Sequence, residues 1–339
     1  MPELTSFALQ GEEMDSLLSR LRNGSLVHAC LITGEKGVGK RTLARLIASS
    51  LLCSSDGNRP CGRCRDCALA ETGEHPDLIV IQKGKPIASD VKKDRSTIPV
   101  DDIREMIRLC GTHTIDGRAR VVLLFDADRM TPQAQNCLLK TLEEPPGNTY
   151  MILVTEHPDI LLSTVISRTR PVHLHAWPDE YVRKILDSRG ISPDRAGISA
   201  AEARGSIGKA IELASDEEYW LLRNEILRDF FGTLKRSEIL RISNSWKDRK
   251  GEADKLLEIL ESLILNMLEA RFHPENEERI SLFPAPWRKF AREAEADRFT
   301  MLIDAVGDVR RQLQYNVNFQ AVLEHFLFVL MGEGNLWSV

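Results

Sequence analysis

The sequence predicts an α/β fold, a parallel sheet covered by helices and followed by helical segments. Three observations carry this. Apolar runs of strand length alternate with helical segments between residues 27 and 174, a glycine-rich turn joins the first run to the first helix, and strand signals fade after Trp177-Pro178. Alternating strands and helices require crossover connections, which place helices on both faces of a parallel sheet.

The first strand is VHACLIT (27–33), which ends in GEKGVGK, and Leu43, Leu46, Ile47 and Leu51 then recur at helical spacing. Further strands are expected at Leu78 to Ile81, Val121 to Phe125, Tyr150 to Val154 and Val172 to Leu174. Thr131 before Pro132 is an N-cap followed by a first helical turn, and Pro145-Pro146 stop that helix after Glu144. Beyond 177, short helical stretches are separated by Gly190, Pro193, Gly197 and Gly205 and end near Ala214; from Glu217 onward the helical period persists to the end. These changes divide the chain into 1–176, 177–214 and 215–339. Residues 83–99 read as an exposed loop.

Composition narrows the functional classes. In 339 residues, 45 Lys and Arg stand against 50 Asp and Glu, a net charge of −5, which excludes a globally basic nucleic-acid coat. The first residues show neither a signal nor a transit pattern, so a cytoplasmic location is expected. The most apolar late stretch, Ala321 to Met331, is interrupted by Glu324 and His325 and falls short of the roughly 20 residues that cross a bilayer, so no membrane contact is expected.

Gly34, Gly39 and Lys40 fit the G-x-x-x-x-G-K phosphate loop, with Gly37 inside it. Backbone N–H groups at such a helix start surround phosphate, and the lysine adds a point charge. The next position should be Ser or Thr, whose hydroxyl holds Mg²⁺, but here it is Arg41; Thr42 lies about 100° further round the helix. A second motif should end a neighbouring strand with two acids, one for metal and one to orient water. In VVLLFDADRM the pair is either Phe125-Asp126 or Asp126-Ala127, and each register lacks one acid. The loop is therefore a degenerate site that holds ATP or ADP without hydrolysis, or a vestigial turn kept for folding.

Cys53, Cys61, Cys64 and Cys67 read C-x7-C-x2-C-x2-C directly after the phosphate-loop helix. Four thiolates so close together can close a tetrahedral shell, which suits structural Zn²⁺. Two disulfides and an iron–sulfur cluster are the alternatives. Cys30, Cys110 and Cys137 fall on apolar faces and read as small buried hydrophobes.

Together these features resemble the bacterial replicative clamp-loader subunits, a family of AAA+ proteins. The resembling stretch runs from HACLITGEKGVGK through PCGRCRDC, HPDL, VDDIREM, ADRMTPQAQNCLLKTLEEPP and ISRT to GSIGKA, and NVN at 316–318 is similar to the family's C-terminal domain. The resemblance implies an AAA+ α/β domain with a zinc-module insertion (53–67), a small helical lid (177–214) and a helical collar (215–339). It implies partners too: ATPase (gamma/tau) and delta subunits in a five-membered ring, a sliding clamp, and primed DNA reached through the complex. Ser167-Arg168 is similar to the family's Ser-Arg-Cys motif, with Thr169 in place of the cysteine. The resemblance makes Arg168 an arginine finger acting in trans on a neighbour's ATP, where a planar fork is poorly replaced by lysine.

In the lid motif GSIGKA, Gly208 stands where ATPase subunits carry arginine, with Lys209 one place later, and Thr155 falls where the family senses γ-phosphate. The expected function is thus a non-hydrolysing clamp-loader subunit; the alternatives are an active ATPase subunit and a nucleotide-binding scaffold unrelated to replication. Glu143 and Glu144 read as solvated or structural, and Lys83, Lys85, Lys92, Lys93 and Arg95 as a solvated loop offset by Asp90 and Asp94.

Overall fold

The computed structural model describes residues 4–55, 57–87, 96–115, 118–232, 235–273, 279–281, 283–315 and 317–332. These form two compact units, one of residues 1–178 with 206–208, the other of 179–205 with 209–339.

The first unit opens with a 3₁₀ segment, Leu4–Gln10, and α1 (Glu12–Arg22). It continues with β1 (Ala29–Gly34), α2 (Lys40–Leu52), α3 (Arg65–Thr72), β2 (Leu78–Ile81), α4 (Val100–Cys110), β3 (Arg120–Leu124), α5 (Pro132–Glu143), β4 (Thr149–Val154), α6 (Ser163–Ile166) and β5 (Arg170–Leu174). The five strands are parallel in the order β2-β3-β4-β1-β5, with Leu31 of β1 opposite both Leu153 of β4 and Pro171 of β5. Every residue of β1 and β3 is buried, which is why these strands read as continuous apolar runs rather than alternating ones. One face of the sheet packs Leu31, Val122, Leu124 and Met151 against Ile103 and Met106 of α4 and Leu138 and Leu142 of α5. Helix α2 packs across β1, β3 and β4 through Leu43 and Ile47, both fully buried.

Local chemistry sets the helix starts. The Thr131 hydroxyl accepts from the Ala134 amide at 3.2 Å, and Pro132 occupies the first turn, as expected from the sequence. Phe7 meets Trp177 edge-on at 5.4 Å, and the Trp177 indole N–H donates to the Val38 carbonyl at 2.8 Å, so both ends of this unit brace the loop between β1 and α2.

The second unit contains α7 (Asp179–Ser188), α8 (Pro193–Ala203), most of α9 (Ile207–Ser215), α10 (Glu217–Phe230), α11 (Arg236–Trp246), α12 (Ala253–Phe272), α13 (Ala285–Glu293), α14 (Ala296–Gln314) and α15 (Phe319–Leu330). Gly197 does not separate two stretches; it lies inside α8, where neighbouring burial offsets a helix cost of about 1 kcal/mol. Leu260, Leu263, Ile264 and Met267 of α12 sit in a core shared with α10, α11, α14 and α15. At 83–99, Gln82 pairs with Lys85 and Ile98 with Met130, while the basic residues Lys92, Lys93 and Arg95 lie outside the described residues, as does Asn316 of NVN. Among the described residues no helix is long and apolar enough to cross a membrane.

Candidate functional site

Gly34, Gly37 and Gly39 all have positive φ, and a Cβ on Gly34 would stand 2.4 Å from the Leu174 carbonyl oxygen, so that position accepts only glycine. The turn delivers Lys40 to the first residue of α2. Its ammonium donates to the Gly34 carbonyl at 2.9 Å and the Glu35 carbonyl at 2.7 Å, and meets the Glu156 carboxylate at 3.3 Å. An ammonium has three donors, and all three are engaged by the loop's own backbone and one acid. The side chain is only 7% exposed; burial lowers its pKa, and Glu156 works in the opposite direction.

A second contact closes the loop from outside. The Ser206 hydroxyl donates to the Lys36 carbonyl at 2.9 Å, and the Gly208 amide donates to the Gly37 carbonyl at 2.8 Å. A Cβ at 208 would lie 3.0 Å from Gly37 Cα, so a residue with a side chain there would force the phosphate loop to shift. The glycine noted in GSIGKA is therefore what allows this close approach.

An ion pair ties the start of α2 to the end of β3. Arg41 Nη2 lies 2.7 and 2.9 Å from the two oxygens of Asp126, and its guanidinium stacks 4.9 Å above Phe125. Asp126 is thus the acid that faces the start of α2, and Ala127, which follows it, is fully buried. The Phe125 ring lies beneath the guanidinium groups of Arg41 and Arg45. Asp126 adopts φ 54° and ψ 45°, a left-handed conformation that Asp tolerates better than most residues. The next acid, Asp128, accepts from the Thr155 hydroxyl at 2.6 Å and meets Arg129 at 3.3 Å, so the strand-end threonine holds a carboxylate. Thr42, one residue past Arg41, lines a cavity along α2.

Arg168 follows α6 and is 34% exposed. Its Nε donates to Glu143 Oε1 at 2.6 Å, its Nη2 pairs with the same carboxylate, and its Nη1 donates to the Thr164 carbonyl at 3.1 Å. None of these partners belongs to the phosphate loop. Glu143, at the end of α5, thus has a specific counter-charge that its position before two prolines did not reveal.

The four cysteines converge. Their sulfurs lie within 4.8 Å of one another, with Cys53 to Cys64 at 3.9 Å and Cys61 to Cys67 at 4.0 Å. Bonds of about 2.3 Å in a tetrahedron place sulfurs about 3.8 Å apart, so the geometry fits a closed tetrathiolate shell. Cys64 also caps α3 and accepts from the Cys67 amide at 3.3 Å. Burial acts to raise its thiol, but hydrogen bonds from Cys67 and Ser54 outweigh this and hold it at about 6. The cluster can bind a metal ion; Cys30 and Cys110 are buried and Cys137 is half-buried, apart from it.

A parallel sheet of this order, a phosphate loop leading into α2 and an acid at the end of β3 define an AAA+ α/β protein. The family described as DNA polymerase III, delta subunit matches residues 9–178. DNA polymerase III subunit delta' of Bacillus subtilis is 28% identical over 330 residues, 95% of this chain and 96% of that protein. The Haemophilus influenzae subunit delta' is 30% identical over 249 residues, 73% of each chain. DNA polymerase III subunit tau of Escherichia coli is 30% identical over 255 residues, covering 72% of this chain and 38% of that one. The chain belongs to the DNA polymerase III clamp-loader family.

Proposed function

We propose that this chain acts as a delta-prime-type clamp-loader subunit that turns over no ATP of its own and supplies Arg168 to a neighbour's ATP. One observation carries the first half: the two cations at the start of α2 are engaged within the chain, Lys40 by the loop carbonyls and Glu156, and Arg41 by Asp126. Phosphoryl transfer depends on metal, lysine and a positioned water acting together, and here a guanidinium takes the metal's acid while Ala127 leaves no base. A nucleotide would bind only after Lys40 released its carbonyls and 206–208 moved.

Arg168 supports the second half. It is held at the surface by Glu143 and one carbonyl and can be presented to an adjacent subunit, where a bidentate guanidinium stabilises charge growing on a γ-phosphate. The full assembly in this reading is a ring of five subunits with gamma/tau ATPases and delta, opening a sliding clamp and placing it on primed DNA. Residues 177–214 act as lid and 215–339 as collar, the latter supported by a core confined to α10 and later helices. The four cysteines would hold Zn²⁺, which supplies folding energy to the 53–67 insertion and no chemistry.

The experiment is ATP turnover by the purified chain and by the reconstituted ring. The chain alone should release no phosphate, while the ring containing it should hydrolyse ATP in a DNA-dependent manner. Magnesium-dependent release by the chain alone, lost in Lys40→Ala, would establish an active ATPase subunit instead.

A further inference from the structure

Helix α3 has eight residues, and the side chains it buries are Cys67 and Ala70. A helix this short is not stable in isolation, so contacts from the rest of the unit must hold it. Its placement matters to the metal site, because Cys64 caps α3 and Cys67 lies in its first turn, while Cys53 caps the far end of α2. The four sulfurs meet only while the two helices keep one relative orientation.

HPDL (75–78), between α3 and β2, supplies such contacts. The Leu78 amide donates to the His75 carbonyl at 2.9 Å, closing a turn with Pro76 at its second position, where a fixed φ is favoured. The His75 side chain is 6% exposed, and its Nδ1 accepts from the Asp77 amide at 3.1 Å. That bond places the ring proton on Nε2, which stands 3.6 Å from Asp66 Oδ1. Asp66 lies between Cys64 and Cys67, so the imidazole restrains the turn that presents both sulfurs.

Asp77 carries the contacts onward, away from the cysteines. One of its oxygens pairs with Arg120 Nη2 at 2.9 Å, and the other accepts from the Ile115 amide at 3.1 Å. Arg120, at the start of β3, also donates to the Thr112 hydroxyl at 2.6 Å and to the Leu109 and His113 carbonyls. A cation is thereby set against the C-terminal end of α4, where helix carbonyls lack partners of their own. Asp77 and Arg120 are both buried, so water does not replace either partner if the other is lost.

We propose that His75 is a positioning residue for the metal centre, and that HPDL, through Asp66 on one side and Arg120 on the other, couples occupancy of the four-cysteine site to the order of residues 109–115. This rests on the reading of the four cysteines as a metal site; it is independent of the phosphate loop and of Arg168. Partners one step removed from a metal account for about 10–100-fold in its affinity. Such coupling is reciprocal: the factor these contacts add to metal affinity is the factor the metal adds to their stability.

The test uses the full chain and Zn²⁺ in two measurements. In the first, chelator competition gives the zinc affinity of the parent and of His75→Asn. Asparagine can accept from the amide two residues on, as the imidazole does, so the turn survives, but it is too short to reach Asp66. Zinc affinity should fall by about 10–100-fold, with the urea midpoint of the metal-free chain unchanged. The second needs no variant: amide hydrogen exchange of the parent is followed with and without zinc. After chelation the Ile115 amide should exchange about 10–100-fold faster, while the amides of Ile103 and Met106 inside α4 keep their protection. A parent that binds zinc and a His75→Asn variant that binds it equally well would overturn the coupling and leave the metal site in place. An Ile115 amide indifferent to chelation, or one that loosens no more than Ile103, would overturn it too. A parent that binds no zinc would remove the metal site and the coupling together.

Discussion

Replacing Arg41 with Ser restores the hydroxyl that this position usually offers to Mg²⁺ and frees Asp126 in the same step. The stability cost is bounded by the structure. Arg41 is 49% exposed, so its ion pair with Asp126, made through Nη2 alone, contributes about 0.2–1 kcal/mol after solvent screening, and its stacking on Phe125 about 0.5–1 kcal/mol more. A loss below about 2 kcal/mol, at roughly 2–4 °C per kcal/mol for a unit of this size, leaves the fold intact. With the guanidinium gone, the Asp126 carboxylate and the introduced hydroxyl face each other across the metal position. Fluorescent-nucleotide titration of Arg41→Ser should therefore show ATP affinity that Mg²⁺ improves by about tenfold, or 1.4 kcal/mol, whereas the parent shows no Mg²⁺ dependence. Turnover should remain at background because Ala127 offers no carboxylate to the attacking water. Hydrolysis revived by this single change would refute the reasoning, and so would nucleotide binding that stays indifferent to Mg²⁺.

Metal analysis should find about one zinc per chain, lost in Cys64→Ser together with protease resistance of residues 53–67; no zinc in the parent would remove the tetrathiolate site. Gly208→Ala, which puts a Cβ 3.0 Å from Gly37 Cα, should destabilise by about 1–3 kcal/mol in urea unfolding, and an unchanged midpoint would deny the contact. Glu202→Ala should cost roughly 3–5 kcal/mol, because it leaves fully buried Arg223, 3.6 Å away, without a counter-charge and takes the partner from Tyr219 and Asn266. Burial lowers the Lys40 pKa in the folded chain below its ordinary 10.5, so the unfolded chain binds that proton more tightly and stability should rise with pH in the window just below 10.5. Lys40→Met should flatten that rise in pH-dependent unfolding.

The sheet was legible because β1 and β3 are buried on both faces, so their residues form apolar runs that need no partner information. Thr131-Pro132 marked a helix start through side-chain chemistry that acts over three residues, and the cysteine spacing spoke for itself for the same local reason. What stayed hidden is long-range. Glu156 reaches Lys40 from 116 residues away, Asp126 reaches Arg41 from 85, and Glu143 reaches Arg168 from 25. A carboxylate's partner is set by the fold, so spacing alone left two registers for Phe125, Asp126 and Ala127. α1 was missed although Met14, Leu17, Leu18 and Leu21 recur at helical spacing, a pattern that could have been found. Gly197 misled in the other direction, since a helix whose Ala196, Ile198, Ala200 and Ala201 are all buried can carry one glycine.

The most direct test of the central claim is ATP hydrolysis by the reconstituted ring carrying Arg168→Ala in this chain alone. DNA-stimulated turnover should fall by about 10³-fold at the one neighbouring site that loses its guanidinium, while assembly by gel filtration stays unchanged. An intact ring in which every ATP site, measured singly, turns over at the parent rate would contradict it.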